Sequence, residues 1–171
     1  GMKSDGNNYV GFLYAGLMIM PDGTPKVIEF NCRFGDPETQ PIMVRLRSDL
    51  AALCKATLDG RLGSQSADWD PRAALGVVMA AGGYPDSYEK GKPISGLDTA
   101  LGGGQMVFHA GTAQTGDTIV TSGGRVLCVV GLGDSVGAAA ATAYDAVAKI
   151  RWDDVFFRTD IGHRAIDREQ A

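Results

Sequence analysis

A turn signal near the start of the chain restricts the possible folds more than any other feature. Residues 21–25 read Pro-Asp-Gly-Thr-Pro and separate an apolar run at residues 9–20 from a second run at residues 26–31. Proline, aspartate and glycine favour chain reversal because they supply the backbone angles and local hydrogen bonds of tight turns. Two apolar runs joined by such a turn predict an antiparallel β-hairpin, with the first run as a buried strand.

The second arm of the predicted hairpin carries two polar residues on one face. Glu29 and Asn31 are two positions apart, and side chains with this spacing along a strand point in the same direction. Magnesium prefers oxygen ligands and usually takes only one or two carboxylates from the protein. The pair is therefore a candidate magnesium site, although the same pattern is also typical of a half-exposed strand whose polar face meets solvent.

A loop rich in charged groups follows this strand. Residues 32–40 read Cys-Arg-Phe-Gly-Asp-Pro-Glu-Thr-Gln, in which the glycine and the proline favour a turn. Arg33 can bind phosphate or carboxylate oxygens through two parallel hydrogen bonds, or it can be a structural partner of Asp36 or Glu38. With Gln40, these side chains form a candidate ligand-binding loop.

The remainder of the chain predicts helices and mostly antiparallel strands. Hydrophobic periodicity predicts helices at residues 39–46 and 48–58, the second with Ser48 as its N-cap and Gly60 at its left-handed end. Another helix is expected after Asp134, which is its predicted cap. Strands are expected at residues 73–81, 106–113, 118–121 and 125–132, with the last two forming a hairpin, then an edge strand at 155–157 and a polar exit at 158–164.

A short polar segment divides this α+β chain into two predicted domains. Residues 61–70 are polar and weakly patterned, which is typical of a linker. The expected domains are residues 1–60, containing the hairpin and two helices, and residues 71–166, a smaller mostly antiparallel α+β domain.

Charge and cysteine content exclude several classes of function. The net charge of -4 does not indicate a nucleic-acid-binding protein. Three cysteines without a C-x-x-C spacing predict neither a disulfide framework nor a thiolate zinc site, and they fit a reducing cytoplasm. Because no apolar run reaches about 18 residues, we expect a soluble protein without a membrane span.

The string Arg-Phe-Gly-Asp-Pro-Glu-Thr-Gln at residues 33–40, with the preceding Glu-Phe-Asn, resembles the signature of glycinamide ribonucleotide synthetase. This family, also called phosphoribosylamine-glycine ligase, consists of ATP-grasp enzymes of purine biosynthesis. The resemblance continues in Gly-Phe-Leu-Tyr-Ala-Gly-Leu-Met at residues 11–18, in Gly-Gly-Tyr-Pro at 82–85, and at residues 160–162 and 164–165. It therefore covers nearly the whole chain.

The resemblance implies ATP-dependent joining of glycine to 5-phosphoribosylamine through glycyl phosphate, with release of ADP and phosphate. It also implies an ATP-bound Mg²⁺ or Mn²⁺ ion. By position, Glu29 and Asn31 match the metal ligands that hold the ATP phosphates, and Arg33 matches a catalytic group that stabilises charge on the transferring phosphoryl group or the acyl phosphate. Asp36, Glu38 and Gln40 fall in the substrate-facing part of the motif.

The family also implies a longer protein. A complete member carries an amino-terminal substrate domain and the other half of the ATP-grasp domain, so residues 1–60 would be the end of that domain and residues 71–166 the family's carboxy-terminal domain. We therefore expect this chain to be a carboxy-terminal part that is inactive alone and needs the missing amino-terminal half as its partner. The alternatives are another ATP-grasp carboxylate-amine ligase and a non-catalytic folded module with an interaction role.

Overall fold

The computed structural model describes residues 2–99 and 102–170 and divides the chain into two compact units. One unit comprises the chain up to Thr39 together with Leu46–Trp69, and the other comprises Gln40–Arg45 and the chain from Asp70. Residues 1, 100, 101 and 171, which include the start of the first predicted domain, lie outside the described residues. In chain order the elements are β1 (Tyr14–Ile19), β2 (Pro25–Asn31), α1 (Thr39–Arg45), α2 (Leu50–Leu58), β3 (Ala73–Ala80), β4 (Gln105–His109), β5 (Thr112–Thr115), β6 (Thr118–Thr121), β7 (Arg125–Gly133), α3 (Val136–Val147) and α4 (His163–Glu169).

The predicted antiparallel hairpin is formed by β1 and β2. The backbone N–H of Gly23 donates to the carbonyl of Met20 at 2.9 Å, and Gly23 has a φ of 84°, which favours glycine. The prediction of a buried first strand is wrong, since most side chains of both strands are exposed, including Ile19 at 60% and Ile28 at 64%. A two-stranded ribbon buries a face only where a further layer packs on it.

Both helices predicted after the hairpin are present, as α1 and α2. The predicted cap of α2 is wrong by one residue: Asp49 accepts hydrogen bonds from the first turn, whereas the hydroxyl of Ser48 accepts one from the backbone of Asp68 at 2.7 Å. Gly60 has the predicted left-handed conformation, with a φ of 68°. The sequence grouped α1 with the first domain, but Gln40–Arg45 is part of the second compact unit.

The second unit is built on an antiparallel sheet of order β3-β7-β4. The central strand β7 is almost entirely buried. On one sheet face, Leu75, Val77 and Met79 lie opposite residues 131, 129 and 127 of β7 and pack with the alanine-rich side of α3. On the other face, Gly76 leaves room for Pro41 of α1, because a Cβ at Gly76 would lie 3.0 Å from the proline Cγ.

Several predictions for this unit are wrong. The N-cap of α3 is Ser135, whose hydroxyl accepts a hydrogen bond from the Ala138 N–H at 3.0 Å, and not Asp134. The strand expected at residues 106–113 is divided into β4 and β5. Strand β6 pairs with β5, not with β7, because the turn at Gly116 closes that hairpin while β7 joins the large sheet. The last two residues of the polar exit, 163 and 164, begin α4, and the edge strand at 155–157 is reduced to a single bridge between Ala80 and Phe156. The predicted α+β class with antiparallel sheets is confirmed.

Within the described ranges, none of the helices combines the length and the apolar character that crossing a bilayer requires.

Candidate functional site

One face of the hairpin gathers the polar side chains at its open end. Tyr14 lies opposite Asn31, and Gly16 lies opposite Glu29. Directly opposed residues of an antiparallel pair share a face, so these four positions point the same way. Gly16 makes room for its neighbour, because a Cβ there would come within 3.1 Å of the Glu29 Cγ.

Glu38 joins this face from the loop that follows β2. The phenol of Tyr14 donates a hydrogen bond to the Glu38 Oε1 at 3.2 Å. Gly35 permits this approach, since a Cβ at that position would collide with the Glu38 Oε2 and lie 3.0 Å from the Tyr14 ring. The turn is closed by Thr39, whose hydroxyl donates to the Gly35 carbonyl at 2.6 Å. We call Tyr14, Glu29, Asn31 and Glu38 the oxygen cluster.

The charges of the oxygen cluster act on its one phenol. The pKa of Tyr14 is raised above its ordinary value, first by the charge of Glu38, then by the hydrogen bond to that carboxylate, and less by partial burial and by Glu29. The phenol is therefore neutral and a hydrogen-bond donor at physiological pH.

Two members of the oxygen cluster carry the types of ligand atom that a hard divalent cation takes. Glu29 and Asn31 offer carboxylate and amide oxygens, and magnesium commonly takes one or two carboxylates with the remaining ligands from water and substrate phosphates. In the part of the chain that the structure describes, no group of three or more His, Cys, Asp and Glu residues is placed to hold a metal. A cation at the oxygen cluster would therefore depend on further ligands.

The remaining predicted site residues lie outside the oxygen cluster. Arg33 is exposed, and its guanidinium donates to the backbone carbonyl of Phe34 at 2.9 Å. Asp36 is also exposed and precedes a cis peptide bond to Pro37. Gln40 belongs to the second compact unit, and its buried Oε1 has no hydrogen-bond partner among the described residues. Of the predicted site residues, the structure thus brings together Glu29, Asn31 and Glu38.

Tyr14 is the member of the oxygen cluster that sequence reasoning missed. The predicted turn does not give this pairing: Ile19 lies opposite Pro25, and an irregularity between Gly16 and Leu17 then shifts the register, so that residue 14 falls opposite 31 and residue 16 opposite 29. The turn residues alone do not predict that shift.

Comparison with known proteins decides the family. The profile of the family described as "Phosphoribosylglycinamide synthetase, C domain" matches residues 74–164, which is more than half of the chain. The chain belongs to the phosphoribosylglycinamide synthetase family. The profile of "Phosphoribosylglycinamide synthetase, ATP-grasp (A) domain" also matches, over residues 1–39, which contain all four members of the oxygen cluster. The resemblance found in the sequence is confirmed.

Curated relatives of this synthetase chain are named phosphoribosylamine–glycine ligase. The protein from Allochromatium vinosum is 63% identical over 171 residues, which are 100% of this chain and 40% of the relative. The proteins from Vibrio vulnificus strain YJ016 and Escherichia coli O157:H7 are 61% and 60% identical, and each match covers 99% of this chain and 40% of the relative. The synthetase chain thus spans 40% of the length of these relatives.

A solved structure shares the fold of the synthetase chain. The crystal structure of phosphoribosylamine–glycine ligase from Thermotoga maritima matches with a TM-score of 0.74 and 38% sequence identity. The match covers 94% of this chain and 39% of the solved one.

Proposed function

We propose that this chain is the carboxy-terminal part of an enzyme that joins glycine to 5-phosphoribosylamine. ATP is converted to ADP and phosphate, and glycinamide ribonucleotide is formed through glycyl phosphate, a step of purine biosynthesis. The proposal is carried by the oxygen cluster, because it lies in the part of the chain that matches the family's ATP-grasp profile. The names of the relatives support the same reaction.

In this proposal, Glu29 and Asn31 hold a Mg²⁺ or Mn²⁺ ion on the ATP phosphates. The metal, when bound, neutralises charge on the phosphate oxygens. Arg33 stabilises the charge of the transferring phosphoryl group or of the acyl phosphate. Because its side chain is exposed, the guanidinium can exchange its hydrogen bond to the Phe34 carbonyl for one to a ligand.

Asp36, Glu38 and Gln40 are proposed to bind the substrates. A carboxylate accepts hydrogen bonds from an amino group, which both glycine and 5-phosphoribosylamine carry. The unpartnered amide oxygen of Gln40 is an acceptor of the same kind.

The domain organisation follows from the same proposal. Residues 1–60 are the carboxy-terminal portion of the ATP-grasp domain, residues 61–70 are a linker, and residues 71–166 are the carboxy-terminal domain. The partner is the amino-terminal part of the same enzyme, which would supply the rest of the ATP site, so this chain alone is inactive. We place the enzyme in the cytoplasm, with small-molecule substrates and without nucleic-acid or membrane partners.

The test compares ligase activity of the full-length protein with that of two variants on β2. Glu29→Gln keeps the size of the side chain but removes its charge, and we expect kcat/KM for ATP to fall by on the order of 100-fold. Lys26→Met, an exposed change on the same strand, is the matched control and should retain activity.

Failure of the full-length protein to make glycinamide ribonucleotide would reject the proposal. Turnover with a different carboxylate and amine would then assign another ATP-grasp ligase. Absence of any turnover and of ATP binding at millimolar concentration would leave a non-catalytic folded module. Turnover by this chain alone would reject the requirement for the amino-terminal part.

A further inference from the structure

Tyr14 and Glu38 form a contact between the first strand of the hairpin and the loop after the second. They are 24 residues apart in sequence, and both side chains are partly buried in a unit whose strands are mostly exposed. The hydrogen bond from the phenol to the Glu38 Oε1 is 3.2 Å long. A partly buried hydrogen bond between residues far apart in sequence fixes the loop side chain relative to the strand better than an exposed hydrogen bond does, because less water competes for the carboxylate.

The backbone around the contact is shaped to permit it. A side chain at Gly35 would collide with the Glu38 carboxylate and press on the Tyr14 ring. Thr39 closes the turn with two hydrogen bonds to the Gly35 carbonyl, from its hydroxyl at 2.6 Å and from its backbone N–H at 3.1 Å. Thr39, the first residue of α1, and Tyr14 of β1 therefore restrict the position of the Glu38 side chain.

The Tyr14 phenol is a neutral hydrogen-bond donor on a face that carries negative charge. Glu29 also faces Tyr14, so the hairpin face carries two carboxylates. Across residues 2–99 and 102–170, no lysine or arginine forms an ion pair with Glu38, and Tyr14 is its hydrogen-bond donor. Loss of the phenol hydroxyl would remove the hydrogen bond that ties Glu38 to β1. Because the phenol is a neutral donor, it holds the Glu38 carboxylate in place and leaves the negative charge of that carboxylate unpaired by a cation.

We propose that Tyr14 is a positioning residue that holds the Glu38 carboxylate on the face of Glu29 and Asn31, where it receives the amino group of an amine substrate. This proposal rests on the proposed ligase function and deepens it. Both glycine and 5-phosphoribosylamine present such an amino group, and the kinetic experiment distinguishes them.

The first experiment needs no turnover and uses this chain. Carbon-13 labelling of the tyrosine ring follows the titration of each phenol by NMR, and Tyr14→Phe assigns the resonance. In Glu38→Gln, the Tyr14 phenol should titrate at lower pH than in the parent chain. Asp5→Asn, which removes an exposed carboxylate of the same unit, should leave it unchanged. An unchanged Tyr14 titration in Glu38→Gln would overturn the proposal.

The second experiment measures steady-state kinetics of the full-length protein. Tyr14→Phe should raise KM for either glycine or 5-phosphoribosylamine by about 3- to 10-fold, the range for one lost hydrogen bond, with KM for ATP unchanged. In the Glu38→Gln background, Tyr14→Phe should have no further effect, because the residue that it positions is already altered. Tyr9→Phe, another phenol of the same unit, is the control and should leave each KM unchanged.

The two experiments separate the two proposals. Additive effects of Tyr14→Phe and Glu38→Gln, or an equal rise of KM for all three substrates, would overturn the positioning role while leaving the ligase function intact. A full-length protein without ligase activity would reject the proposed function and the role in amine binding, while the NMR titration would still decide the Tyr14–Glu38 contact.

Discussion

Gly131 of β7 lies directly against Ala143 of α3, so that a Cβ on the glycine would come within 3.0 Å of the alanine Cα. That Cβ would also collide with the backbone N–H of Ala143 and with the carbonyl of Ala139. Both alanines are fully buried. The helix and the strand therefore pack backbone to backbone, and this distance leaves no room for a side chain at residue 131.

Replacing Gly131 with alanine should reduce the free energy of unfolding by about 3 kcal/mol, at the upper end of the usual cost of overpacking, because neither backbone can move without disturbing the sheet. Urea unfolding followed by circular dichroism measures the change. Gly137→Ala is the matched control: its Cβ would make only ordinary contacts of 3.7 Å or more. We expect that variant to be unchanged or stabilised by up to about 1 kcal/mol. Equal destabilisation by both substitutions would contradict the packing described.

Lys92 should make the free energy of unfolding fall as pH rises into the alkaline range. Its ammonium lies 2.9 Å from Asp154, 3.2 Å from Glu89 and 3.4 Å from Asp153. The hydrogen bond to Asp154 is the largest cause of a raised pKa of Lys92, which the bond to Glu89 raises further. A raised pKa in the folded state means that the stabilisation is complete below the unfolded pKa of about 10.4 and is lost as pH rises through the folded value.

The measurement for Lys92 compares urea midpoints of the parent chain and Lys92→Met at pH 7, 9 and 11. The variant should be less stable at pH 7 and pH 9, and the difference should shrink at pH 11. Lys90→Met, which removes an exposed lysine two residues away, should show no such change with pH. A difference between parent and Lys92→Met that stays constant over this range would count against the ion cluster.

Glu169 should stabilise the amino-terminal end of α3. Its carboxylate accepts hydrogen bonds from the backbone N–H groups of Val136 at 2.7 Å and Gly137 at 3.1 Å, and a negative charge at this end of a helix is favourable. Glu169→Gln should therefore lower the free energy of unfolding by about 0.5–1 kcal/mol, and added salt should reduce that loss. Asp167→Asn on the same helix α4 is the control. A loss of the same size in the control would assign the effect to net charge instead.

The exposed apolar side chains of the hairpin should make this chain associate at high concentration. Contiguous exposed apolar surface is typical of interaction sites and of aggregation-prone chains. Replacing two such residues with lysine, as in Leu17→Lys with Ile28→Lys, should shift sedimentation toward the monomer and reduce binding of a hydrophobic dye. Lysine at Leu58, which is 78% exposed on α2, is the control and should change neither measurement. Unchanged sedimentation of the double variant would contradict a role for the hairpin.

Features that depend on local chemistry were predicted from the sequence. The hairpin of β1 and β2 followed from a turn of five residues, and α3 followed from its hydrophobic periodicity. The pairing of β6 was not predictable in the same way. Turn residues lie on both sides of this strand, at Gly116 and at residues 122–124. Strand β6 pairs across the turn at Gly116 because β7, on the other side, pairs within the large sheet.

In the candidate site too, positions set by the local sequence were predicted, and positions set by contacts between distant residues were not. Alternation along a single strand placed Glu29 and Asn31 on one face. The positions of Tyr14 and Glu38 depend on hairpin register and on a close approach at Gly35, which no periodicity expresses. The exposed faces of the hairpin were misjudged because apolar composition predicts that a strand can be buried, but not that a covering layer is present.

The central position of β7 sets the order in which the second unit can assemble during synthesis. Strands β3 and β4 both pair with β7 and precede it in the chain, so each leaves the ribosome before its hydrogen-bonding neighbour exists. Because α3 follows β7 and packs on the same sheet, the buried core also waits for these last segments. A nascent chain halted before residue 125 therefore holds two strands with no sheet to join, and it is the stage at which a chaperone would have most to protect.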